Sequence, residues 1–211
     1  MSSSLKNRIK RFVTISKQEV ENQNHLFFSP LLPESMHWRA YPDFKERCCF
    51  LDIETTGLDK YNDDITTIGL FDGKQSRVFV NGTDLDEFKK EIEKYSMIVT
   101  FNGACFDLPF ISNKFNMQFD HLHIDLRWAL KRLGLTGGLK YIEKTLEITR
   151  DDEVADMDGW EAVKLWYRYK KGDRSALHLL IKYNIEDIEN LKTLMDYAYS
   201  NLKKEYDHFF R

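Results

Sequence analysis

Long apolar runs are missing from these 211 residues. None approaches the roughly 20 consecutive apolar residues that a membrane-spanning helix requires, so no membrane partner is expected. The opening residues, Met1-Ser2-Ser3-Ser4-Leu5-Lys6, lack the apolar core of a secretion signal. Cysteine is scarce: there are three, two of them adjacent at Cys48 and Cys49. That number and spacing exclude a disulfide framework and a cysteine-rich zinc site. A reducing, cytoplasmic location is therefore expected. Proline is scarce too, and three of the four, Pro30, Pro33 and Pro42, fall in one stretch. A large excess of either charge is absent, the formal net charge being -3. Taken alone, that argues against a nucleic-acid partner. The sum hides clustering, however, because four carboxylates committed to metal would leave the remaining surface slightly positive. No internal repeat or low-complexity tract occurs. What is present, 42% hydrophobic and 14% aromatic residues, suffices for the core of one sizeable domain with or without an appendage.

Residues 5–20 place Leu5, Ile9, Phe12, Val13 and Ile15 among Lys6, Arg8, Lys10, Arg11 and Lys17, which reads as a short basic helix, a solvated amphipathic arm packed on the domain, with a phosphate-gripping arm as the alternative. Residues 21–47 read as irregular. We therefore divide the chain into an N-terminal extension, 1–46, and a main domain, 47–211. In the main domain, Phe50 to Leu58 begins as a strand, with Leu51 and Ile53 alternating with Asp52 and Glu54 at period two. A polar loop, Asp59 to Asp64, leads to the β-rich Ile65 to Phe71. Asp72-Gly73 marks a hairpin, and Arg77 to Val80 returns. Asp84 and Glu87 have the spacing of a capping box before a helical stripe of Leu85, Phe88 and Ile92. Met97 to Phe101 is a continuous apolar strand of the buried parallel kind. A helix follows from about Asp107 to Asn116, then a short strand at His121 to Ile124. Helical patterns fill the rest, broken at Gly134, Thr136-Gly137-Gly138 and Gly172-Asp173. The order predicts an α/β fold: a central mixed sheet, made of an antiparallel meander plus parallel strands, flanked by helices.

Three places carry chemistry. Asp52 and Glu54 share one face of the first strand, where two like charges repel unless a divalent cation lies between them. Asp107 stands where a buried strand hands over to a helix, the end of an α/β sheet at which ligands collect; alternatively it is a helix N-terminal residue favoured by the dipole. On the last helix, Leu180, Asn184, Asp187, Leu191, Leu194 and Ala198 form one stripe, and an aspartate inside an apolar stripe is costly unless partnered. Tyr183 and Asp187 share a face, as a buried hydrogen-bonded pair or as a metal ligand beside a hydroxyl.

Together these motifs resemble the DEDD superfamily of exonucleases, which has the ribonuclease H-like fold. That family carries Asp-x-Glu on its first strand, an Asp after a later strand, and Tyr-x-x-x-Asp on a late helix. The tyrosine is similar to the DEDDy branch, which includes polymerase proofreading domains and RNase D. Phe101-Asn102-Gly103, Phe106 to Phe110 and Gly137-Gly138-Leu139-Lys140 resemble the YprB-type branch more closely. The resemblance covers about residues 47 to 200.

The resemblance implies a metal-dependent 3′–5′ exonuclease acting on single-stranded nucleic acid with a free 3′ end, DNA slightly favoured over RNA. Four carboxylates can hold two Mg2+ or Mn2+ ions about 3.5–4 Å apart around one phosphate. Asp52 would bridge both ions, Glu54 and Asp187 would complete the site that activates water, and Asp107 would support the second. Tyr183 would orient the water through its hydroxyl, its ordinary pKa near 10 being too high for a base. Thr55, Thr56, Gly57 and Leu58 would receive the terminal nucleotide, with Asn102 and Phe106 beside it, although strand and turn structure also account for all six. Lys131, Arg132, Lys140 and Arg150 read as a solvated helical face, with a grip on substrate phosphates as the alternative. Trp160, Trp166, Tyr167 and Tyr169 read as core packing, with base stacking as the alternative. His121 and His123 read as structural, and Asp125 as an acid that supports the metal ligands from behind or as an N-cap before Leu126. Two other classes stay open: a binding module without catalysis, and a phosphodiesterase for a small nucleotide or dinucleotide. A closed pocket would favour the latter and an open groove a polymer. Protein partners are not specified by the sequence.

Overall fold

The computed structural model describes residues 3–209. The chain opens with α1 (Ser3–Glu21), α2 (His25–Phe28) and α3 (Tyr41–Phe44), with a 3-10 turn at Glu34–Ala40. Then come β1 (Cys48–Thr55), β2 (Ile65–Phe71), β3 (Ser76–Val80), α4 (Phe88–Ile92), β4 (Met97–Thr100), α5 (Asp107–Phe115) and β5 (Leu122–Asp125). Helices α6 (Leu126–Arg132), α7 (Leu139–Thr145), α8 (Gly159–Lys170) and α9 (Arg174–Phe209) complete it. The five strands run in the order β3-β2-β1-β4-β5. β1, β2 and β3 pair antiparallel, while β4 and β5 run parallel to β1. The expected meander plus parallel strands is thus present, with the Asp-x-Glu strand at its centre.

Period two assigns the two faces of β1. Cys49, Leu51 and Ile53 join a core with Phe88, Ile92, Phe110 and Ile111, on the side of α4 and α5. Cys48 and Phe50 join the other core, with Leu126, Leu191, Leu194 and Met195, on the side of α6 and α9. Asp52 and Glu54 continue that second face, so they emerge under α9. All six residues of the predicted α9 stripe are buried. A helix that packs on a sheet must bury one such stripe.

The structure departs from the sequence reading in several places. Helix α9 starts at Arg174, earlier than the Leu177 of the stripe reading. The capping box does not form: Asp84 Oδ1 accepts from the Val80 amide at 2.8 Å, and Glu87 pairs with Arg77. Residues 25–47 hold a series of short helices of three to seven residues, whose brevity leaves no periodicity to read. Within this stretch Trp38, Tyr41 and Phe44 are buried in the same core as Leu191 and Leu194. On α1, residues 4–14 are exposed, and Phe12 reaches Phe27 at a ring distance of 6.0 Å. Among the described residues no helix is long and apolar enough to cross a membrane. The three cysteines are free.

Candidate metal centre and substrate groove

The parallel strands β1, β4 and β5 end at the same edge of the sheet, where α/β folds gather their ligands. β1 brings Asp52 and Glu54 there. The loop after β4 brings Asp107, the first residue of α5. α9 crosses above and supplies Tyr183 and Asp187. Asp52, Glu54 and Asp187 each offer a carboxylate oxygen within 4.8 Å of the others, a set able to hold a metal ion. Asp107 lies beside this trio, and its Oδ1 accepts the Ile53 amide at 3.1 Å. All five line one open groove of about 870 Å³.

Packing around the trio is tight. Asn184, fully buried, donates from Nδ2 to Asp52 Oδ2 at 2.9 Å. It can do so because the residue paired with Asp52 across the sheet is Gly69. A Cβ at Gly69 would stand 2.6 Å from Asn184 Oδ1. Gly69→Val should therefore push Asn184 off Asp52 and cost about 1–3 kcal/mol of overpacking. Thermal melting checks this, and an unchanged midpoint would mean that Asn184 has room to move.

Electrostatics push the acids toward protonation. Burial, then the charges of Asp187 and Asp107, raise Asp52 and Glu54 well above the carboxylate range. Burial lifts Asp107 to about 7, although its own amide and that of Ile53 oppose the rise. Asp187 is lifted by burial to only about 6, because Arg150 counteracts it. Repulsion of this kind is what a divalent cation relieves. The Tyr183 hydroxyl is raised above its ordinary range by burial and by Asp187, so it stays protonated.

The hydrogen-bonded Tyr183–Asp187 pair left open by the sequence is not formed. Asp187 Oδ1 instead accepts from Arg150 Nη2 at 2.5 Å. Arg150 is no solvated residue, its side chain being 5% exposed. Lys140 is likewise not on a solvated face: its Nζ is buried, lies 4.8 Å over the Tyr183 ring, and has no hydrogen-bond partner among the described residues. Burial, then Arg150, lowers its pKa. The sequence held no sign of Glu143 or Gly69, placed Asn184 in the stripe without its bond to Asp52, and favoured a solvated face for Arg150 and Lys140. The one signal available was Gly137-Gly138-Leu139-Lys140, which lines the groove.

Of the proposed binding residues, Thr55, Gly57, Leu58, Asn102 and Phe106 line the groove. Thr56 does not: its hydroxyl accepts the Asp64 amide at 2.9 Å within the loop. Asn102 adopts a left-handed φ of 68°. Its amide donates to Asp125 Oδ1 at 2.8 Å, and its own Oδ1 accepts from Arg127 at 2.7 Å. Asp125 caps α6 through the Arg127 amide as well, so it is both N-cap and loop anchor. His123 bonds Thr100 and His121 faces the Ile92 carbonyl, both structural contacts. The aromatic quartet divides. Trp166 is buried with Tyr169 beside it, Tyr167 is exposed outside the groove, and Trp160 stands on the groove wall.

The chain matches the family described as RNase_H superfamily over residues 49–199, and it belongs to that superfamily. The five-stranded mixed sheet with flanking helices is accordingly a ribonuclease H-like fold. No curated protein matches the chain. Among solved structures, Brucella melitensis NrnC bound to pGG aligns with a TM-score of 0.55 at 16% identity, over 78% of this chain and 78% of that one. A protein described as the apo form of the nuclease aligns with a TM-score of 0.57 at 18% identity, over 76% of this chain and 75% of that one. The family B DNA polymerase from the archaeon Pyrobaculum calidifontis aligns with a TM-score of 0.56 at 16% identity, over 71% of this chain. Only 24% of the polymerase is spanned. At such identities these likenesses speak for the fold.

Proposed function

We propose that this chain is a divalent-metal-dependent 3′–5′ exonuclease of the DEDDy type, akin to the YprB-type branch, hydrolysing phosphodiester bonds of single-stranded nucleic acid in the cytoplasm. The observation that carries it is the convergence of Asp52, Glu54, Asp107, Asp187 and Tyr183 on the floor of one open groove. A trio of carboxylates without sulfur or imidazole suits a hard cation such as Mg2+ or Mn2+. Asp52, Glu54 and Asp187 would hold one ion, and Asp52 with Asp107 a second. Bound there, two ions would stabilise the attacking and leaving oxygens of an in-line displacement. Tyr183, protonated, offers a donor to the attacking water. The catalytic unit spans 47–211, and the extension 1–46 is joined to it through Trp38, Tyr41 and Phe44.

The groove is open, which supports a chain-like substrate over a small nucleotide. Three of its wall residues, Leu58, Tyr141 and Trp160, are 86%, 66% and 64% exposed. Apolar surfaces left in water beside an acidic site suit unstacked bases, and each stacked base contributes about 1–3 kcal/mol. The solved NrnC structure with bound Mg2+ accords with the metal dependence proposed here, whereas pGG in the other is short enough to suit the small-substrate alternative as well. Labelled linear and circular single strands of DNA and RNA, each with Mg2+, Mn2+ or EDTA, test it. Linear strands should shorten from the 3′ end, and circles and chelated reactions should not react. Rapid cutting of circles would make the protein an endonuclease. Trp160→Ala should raise KM for oligonucleotides about tenfold or more with kcat within twofold. An unchanged KM would return Trp160 to a merely exposed surface.

A further inference from the structure

Arg150 and Glu143 lie outside the acid motifs, yet among the described residues they form the most enclosed ion pair, with side chains 5% and 2% exposed. Arg150 Nε donates to Glu143 Oε2 at 2.7 Å. Its Nη2 donates to Glu143 Oε1 at 2.7 Å and to Asp187 Oδ1 at 2.5 Å. Asn190 Nδ2, one turn beyond Asp187 on α9, donates to the same Glu143 Oε1 at 3.1 Å. The contacts close a ring that leaves α9 at Asp187 and returns to it at Asn190.

We propose that Arg150 is a positioning residue for the reaction: it pins one oxygen of Asp187 so that the other is presented to the ion site, and Glu143 holds the guanidinium in place. This rests on the reading of Asp52, Glu54 and Asp187 as that site. A pair that only joined α7 to α9 would be complete with Glu143 and Asn190; the bond to Asp187 is additional. A lone arginine beside a metal ligand would repel the ion. Glu143 carries an opposite charge that offsets part of this repulsion, and the bond to Asp187 adds a geometric constraint. Orientation is needed because an aspartate's terminal torsion is broad and sets no direction by itself. Partners behind metal ligands commonly fix that direction. A planar guanidinium can span two carboxylates with fixed geometry, whereas an ammonium cannot.

Arg150→Lys separates charge from geometry, since it keeps the positive charge and removes the fork. We expect its single-turnover rate on a single-stranded oligonucleotide at saturating Mn2+ to fall at least tenfold. KM should stay within twofold, and Mn2+ affinity by titration calorimetry should weaken severalfold. Glu143→Gln/Arg150→Gln removes both charges together, so it stays foldable should the lysine variant not fold, and it should lose as much. Rates and Mn2+ affinities within twofold of wild type in the folded variants would overturn the proposal and leave a structural ion pair. If the wild type itself neither bound Mn2+ nor cleaved, the metal-site reading would fail and take this inference with it. Wild-type binding and cleavage with unaffected variants would fail the positioning role alone.

Discussion

Asp52→Asn should abolish metal-dependent cleavage, by at least about 10³-fold, and at the same time raise the melting temperature of the metal-free protein at pH 8. One aspartate is asked for both effects because it sits among like charges. Its one hydrogen-bonding partner among the described residues is the uncharged amide of Asn184, and burial together with Asp187 and Asp107 opposes its ionisation. The sign follows from linkage. A carboxyl whose folded pKa lies above its unfolded value binds more protons when folded. Its stabilising contribution is complete below the unfolded value near 4 and is lost as pH rises through the folded value. Asp187 at about 6 and Asp107 at about 7 set the window, so the acid cluster without metal opposes folding above about pH 7. Removing one charge relieves about 1.4 kcal/mol per pKa unit of perturbation, and each kcal/mol moves the midpoint by about 2–4 °C in a chain of this size. Calorimetry in EDTA between pH 5 and 8 should show wild type falling below Asp52→Asn as pH rises. Mg2+ should restore the wild type and leave the variant unmoved. A variant less stable than wild type at pH 8 in EDTA would make Asp52 a structural acid.

What could be read in advance depended on whether a residue lies on a regular element. Asp52 and Glu54 are legible because a strand alternates faces. Asp187 is legible because a charge inside the Leu180–Ala198 stripe breaks a helical pattern. Their opposition across the site follows once the sheet order is known, and the order of strands and helices gives that order. Arg150 lies between α7 and α8, in a segment with no period from which a facing could be inferred. Its partners are 7 and 37 residues away, and nothing local distinguishes it from a surface arginine. Asn184 was visible in the stripe, but its use depends on Gly69, whose absent side chain gives no signal until β2 is laid against β1. Trp38, Tyr41 and Phe44 were missed for the opposite reason. They are strongly apolar, but they ride on helices of four to seven residues, too short to show a face.

Tyr183→Phe should keep metal affinity and the fold while lowering kcat by about 10²–10⁴, the range for a positioned proton-transfer group. The ring is buried at 6% exposure, with the Lys140 ammonium 4.8 Å and the Arg150 guanidinium 5.9 Å from its centre, and phenylalanine preserves that packing. The hydroxyl forms no hydrogen bond with Asp187, whose Oδ1 is taken by Arg150. Its removal therefore leaves no partner unsatisfied on α9. A residue kept only for structure would then show no phenotype, whereas one that holds water in the groove would lose turnover. The raised pKa sharpens the distinction, since a protonated hydroxyl donates and cannot serve as the base. The pH profile of kcat should for that reason keep its shape in the mutant, shifted downward as a whole, with its acid limb still set by the carboxylates. Single-turnover rates from pH 6 to 9, with Mn2+ titrations alongside, supply the measurement. Cleavage at the wild-type rate would make Tyr183 a packing residue and overturn the proposed DEDDy mechanism. A lost alkaline limb in the mutant would instead identify the phenol as a titrating group, against the protonated donor described here.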